Sequence, residues 1–129
     1  MNATAKLSLT YIAPGNSAAT TNLSASIAYV GSSAGFLDIP EGTADGASFA
    51  VPFGSVGEVK AVAIQNNTAT PKEIAVNGSE DVFELAAGAM FVVAGPTASD
   101  ITSLDVIETA LSTADGQVSH VVLGDSATP

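Results

Sequence analysis

Apolar and polar residues alternate along most of this chain. In "AKLSLTYIA", residues 5–13, Leu7, Leu9 and Tyr11 alternate with Ser8 and Thr10. In "NLSASIAYV", residues 22–30, Leu23, Ala25, Ile27 and Tyr29 alternate with Ser24 and Ser26. A period of two puts successive side chains on opposite faces of an extended strand. "PGNSAATTN" between these segments predicts a turn-rich connection. Short strands are predicted over "AGFLDIP" and "ASFAVPFG", on either side of "EGTADG". Pro40 and Pro52 fit strand ends or edges, because proline cannot donate to a sheet ladder.

"EVKAVAIQNNT" predicts a strand with Val62 and Ile64 on one face, paired across "NNTATP" with "KEIAVNGSE". Asn77-Gly78 predicts the next turn, since both residues tolerate positive φ. "VFELAAGAMFVVAGP", residues 82–96, concentrates the large side chains. It reads as a hairpin of two core strands joined at Ala86 to Gly88, with Phe83, Leu85, Phe91 and Val93 buried. The apolar run from Ala89 to Ala94 predicts a strand buried on both faces. In "SDITSLDVIETALSTADG", Ile101, Leu104, Glu108 and Leu111 fit a helical stripe that Ser99 could cap. Thr, Val and Ile in its middle favour a strand, expected from Ser103 to Ala110. Asp115-Gly116 predicts a hairpin turn into "QVSHVVLGD". "TADG", which also precedes a strand at Asp45, reads as a good turn used twice. Roughly eight to ten short strands with no long helix predict one all-β domain over residues 1–129. The architecture expected is an antiparallel β-sandwich or jelly roll. An immunoglobulin-type sandwich would lack its cysteine pair and core tryptophan here.

Composition narrows the chemistry. The chain has no cysteine, which excludes disulfides and thiolate chemistry. Thirteen acids face three lysines, Lys6, Lys60 and Lys72, with no arginine and a net charge of −10. Nucleic-acid binders neutralise phosphates with clustered Lys and Arg, so DNA or RNA is not an expected partner. Anionic membrane surfaces would be repelled as well. The start, "MNATAKLSLTYIAPG", lacks a basic leader and an unbroken apolar core, so it does not read as a secretory signal. Of the apolar residues, 23 are alanine and only 37 are Ile, Leu, Val, Met, Phe or Tyr. So thin a supply of large side chains predicts extra burial against a partner, whether a second copy or a foreign surface.

No catalytic, cofactor-binding or metal-binding residues are expected. His120 is the only histidine, in phase with Val118 and Val122, and reads as a strand histidine at a surface, seam or subunit contact. A Ser-His-Asp set would have to use it, and no G-x-S-x-G elbow occurs. Acidic clusters at Asp38, Glu41 and Asp45, at Glu80, Asp81 and Glu84, and at Asp100 and Asp105 do not match a calcium loop and read as solvated. Tyr11 and Tyr29 are the easy candidates for holding a sugar ring. The four N-x-[ST] sequences at Asn2, Asn22, Asn66 and Asn77 read as coincidences of composition.

The run "VKAVAIQNNTATPKEIAVNGSEDVFELAAGAMFVVAGP" resembles small β-sandwich virion proteins of tailed bacteriophages. It has a strand ending in "IQN", a short turn, an "I-A-V-N-G" strand, then "F-E-L-A-A-G" leading into an apolar strand; Val122-Leu123-Gly124-Asp125 fits their ending. Ala87 stands where the family's turn usually carries proline. The resemblance implies a capsid decoration or cement protein on the virion surface, made in the host cytoplasm. It further implies the major capsid protein as partner and self-association, with a trimer favoured. A tail or neck component is the alternative within the same class. A carbohydrate- or calcium-binding β-sandwich module is the alternative from another class.

Overall fold

The structure is a computed structural model and describes residues 3–12, 15 and 20–126. The turn-rich connection around Gly15, Asn2 and the side chain of Tyr11 otherwise lie outside the described residues. In chain order the strands are β1 (Ala3–Ile12), β2 (Thr20–Tyr29), β3 (Gly31–Ile39), β4 (Ser48–Ala50) and β5 (Val56–Asn66). They continue as β6 (Lys72–Val76), β7 (Val82–Leu85), β8 (Met90–Ala94), β9 (Leu104–Glu108) and β10 (Gly116–Ser126). Among the described residues there is no helix, and the ambiguous segment after Ser99 forms the expected strand, β9. β1 and β2 make an antiparallel ribbon, the arm. The other strands form two four-stranded sheets, ordered β3-β10-β5-β8 and β4-β9-β6-β7.

From β3 onward every connection passes from one sheet to the other except β6 to β7. That is the wiring of a jelly roll. The exception is the hairpin signalled by Asn77-Gly78, whose φ angles of 55° and 71° are those a tight primed turn requires. Three other pairings expected from sequence are corrected. β5 and β6 lie in opposite sheets, as do β7 and β8, and β9 and β10. Residues 82–94 are therefore a crossover and not a hairpin, although the turn at Ala86 to Ala89 forms, with Gly88 at φ 80°. Sheets in a sandwich are stacked only about 10 Å apart. A short turn at the sandwich end can reach the opposite sheet as easily as it can reverse a strand.

Alternation sets the core. Val62 and Ile64 of β5, Val118 and Val122 of β10, Ile74 of β6, and Leu104 and Val106 of β9 meet between the sheets. Leu85 is buried as expected, but Phe83 is 55 % exposed, Val93 is exposed and Phe91 is only partly buried. The reason is position. β7 and β8 are edge strands, and Phe83 and Phe91 stand opposite Ile74 and Ile64 at the open side of the sandwich. Their rings meet there with centroids 5.4 Å apart. β8 is not buried on both faces either, because Met90 and Val92 point outward and are exposed.

Two asparagines tie the sandwich ends. Asn66 is fully buried; its Nδ2 donates to the carbonyls of Thr70 and Leu85, each at 2.9 Å, and its Oδ1 accepts from the amide and hydroxyl of Thr68. Asn77 Oδ1 accepts from the amides of Thr102 and Ser103, and its Nδ2 donates to the Asp100 carbonyl.

Candidate interaction surfaces

The structure places the single histidine and the acidic clusters as follows. His120 lies inside the sandwich, 4 % exposed, rather than at a surface. It stands opposite Gly35 and Ile64, and its Nδ1 has no hydrogen-bond partner. Burial lowers its pKa and keeps the ring neutral. A catalytic base needs a hydrogen-bonded nucleophile and an orienting group, and its Nδ1 holds neither. Among the described residues no three of His, Asp and Glu are grouped to hold a metal ion. Asp38 instead accepts from Gln117 Nε2, and Asp115 accepts from the Glu41 amide.

Lys72 and Glu108 form an ion pair inside the sandwich end, Nζ to Oε1 3.1 Å, with both side chains 1 % exposed. Nζ also donates to Thr70 Oγ1 at 2.8 Å, and Oε1 accepts from the Thr109 amide, while Oε2 has no partner. Sequence reasoning did not single out this pair. The signal was phase: Lys72 is two residues from Ile74, and Glu108 two from Val106, so each falls on its strand's inward face.

Three features of the surface are apolar. On the arm, the odd-numbered positions from Ala3 to Leu9 and from Thr21 to Tyr29 face one way. Ile27, Ala5, Ala25 and Tyr29 pack on Ala61, Leu123 and Ala94, on the outer face of the β3-β10-β5-β8 sheet. Tyr29 is half-buried at the root of the arm. Polar ties fix that root: the Val30 amide donates to the Gly124 carbonyl at 3.0 Å, and Lys60 Nζ donates to the Ala28 carbonyl and pairs with Asp125 at 3.2 Å. Gly124 permits the close approach of strands at this point, since a Cβ there would strike the Glu58 carbonyl. Further out, Leu9 and Leu23 face each other across the ribbon, 64 % and 61 % exposed.

The sheet's outer face carries the complementary feature. Next to the row covered by the arm, Ala34, Val121, Ala63 and Val92 stand side by side; the following row is Phe36, Ser119, Gln65 and Met90. Neither row holds a charged residue. Phe36 is 63 % and Met90 57 % exposed. A third apolar feature is an open groove of about 650 Å³ between β7 and β8, walled by Val76, Val82, Phe83, Phe91, Val93 and Ile101. No protein-family model, curated protein or solved structure matches the chain.

Proposed function

We propose that the chain is a structural protein of a tailed-phage virion, a decoration or cement protein that binds the major capsid protein on the shell's outer surface and stabilises it. The observation that carries this reading is the pairing of uncharged apolar surfaces, on the arm and on the outer sheet face, with a strongly acidic molecule. Large exposed apolar patches mark interaction sites. Jelly rolls serve capsid proteins, lectins and cupins alike, so the fold is compatible with the reading without selecting it. The resemblance of residues 59–96 to phage virion proteins favours the capsid reading among these. Of the three lysines, Lys72 and Lys60 are engaged in ion pairs, which leaves no basic patch for nucleic acid among the described residues. An acidic exterior suits the outside of a shell that holds DNA.

Co-expression with the major capsid protein of the same genome tests the reading. The chain should co-migrate with assembled shells on a density gradient and raise the temperature at which they come apart. Recovery only as free protein, or only with tail and neck assemblies, overturns it.

A further inference from the structure

The arm stops short of using its own apolar face. Ten residues per strand extend about 33 Å. The part that packs on the sheet spans residues 25–29 of β2, about half of that length. From half-buried Leu7 the stripe continues in register to Leu9 and Leu23, both exposed, while the opposite face presents Thr4, Lys6, Ser8, Ser24 and Ser26 to water. A two-stranded ribbon is only marginally stable by itself, so a long amphipathic one implies a surface under its far half.

We infer that this surface is the outer face of the β3-β10-β5-β8 sheet of a second copy of the chain. Three observations select that occupant. The molecule already shows the fit, because the root of the same ribbon face packs on the neighbouring row of the same sheet face. The two uncovered rows of that sheet, with Phe36, Val121, Val92 and Met90 exposed, are its direct continuation. Charge excludes most other contacts between copies, since each carries −10, whereas the arm stripe and both sheet rows hold no Asp, Glu or Lys. Each copy lends one arm and receives one, which builds a reciprocal pair, a ring or, where the rotation does not close, a filament. The inference deepens the self-association that the resemblance implies and needs no capsid, so it and the proposed function can fail separately.

The test uses the whole chain without particles. Light scattering during size exclusion at micromolar concentration should give a multiple of 12.7 kDa. Leu9→Asp with Leu23→Asp, and separately Val121→Asp, should each give the single-chain mass with an unchanged β-type circular dichroism spectrum. Phe83→Ser, in the β7–β8 groove, should leave the mass as in the wild type. Because the chain has no cysteine, mixing Leu9→Cys with Val92→Cys under oxidation offers a second readout, and mixed disulfide dimers should exceed either homodimer. A single-chain mass for the wild type, dissociation by Phe83→Ser alone, or no excess of mixed disulfides overturns the inference.

Discussion

At the residue scale, the buried Lys72–Glu108 pair is the costliest commitment in the sandwich. Both charges are taken from water, and Glu108 Oε2 is left without a partner. Removing one charge strands the other, which costs about 3–5 kcal/mol, whereas replacing both with apolar groups is often neutral. Lys72→Met should therefore be strongly destabilised in urea titrations, and Lys72→Met with Glu108→Leu should recover most of the loss. A double variant no better than the single one would contradict this account. His120 supplies a pH dependence. Burial holds its pKa below the ordinary 6.5, so the unfolded chain binds a proton that the folded chain refuses as pH falls through about that value. Stability contributed by the neutral ring is thus present above the unfolded pKa and lost below it. Between pH values of about 7.5 and 5, the wild type should lose more stability than His120→Leu. Equal losses would show that the ring is not confined.

At the element scale, the strands were legible and most of their partners were not. Alternation in "EVKAVAIQNNT" placed Val62 and Ile64 on the inner face, where they lie. It could not reveal that β6 belongs to the opposite sheet, because alternation reports a strand's two faces and says nothing of its neighbours. Asn77-Gly78 was readable because its backbone angles need those residues. Residues 82–94 misled for a physical reason. The run Ala89 to Ala94 is apolar on both sides, but the outward side is open surface and not core. That departure is itself the mark of the proposed interface, which sequence alone could not separate from burial. The energetic order changes accordingly. Ile74→Ala, at a fully buried site, should cost about 2–5 kcal/mol. Phe83→Ala, more than half exposed, should cost about 1 kcal/mol, since only part of its surface is removed from water. Phe91→Ala, partly buried, should fall between them in chemical denaturation, and a Phe83→Ala variant that fails to fold would contradict the edge placement.

At the scale of the whole molecule, polar side chains help hold the jelly roll together. Asn66 and Asn77 tie the ends, Lys72 and Glu108 neutralise each other, and Lys60 anchors the arm. The exposed face of the arm and the outer sheet rows are uncharged on a body of charge −10, the contrast on which the proposed docking rests. The wiring puts the arm root beside the end of β10, so the arm and the outer sheet face lie on the same side of the sandwich and can act in one assembly. The most direct measurement is a saturation titration of purified chain onto bare shells of the proposed partner, the major capsid protein of the same genome, separated by sedimentation. The account predicts retention that saturates at a fixed number of copies per capsid subunit. Retention that rises without a plateau, or none at all, would contradict it.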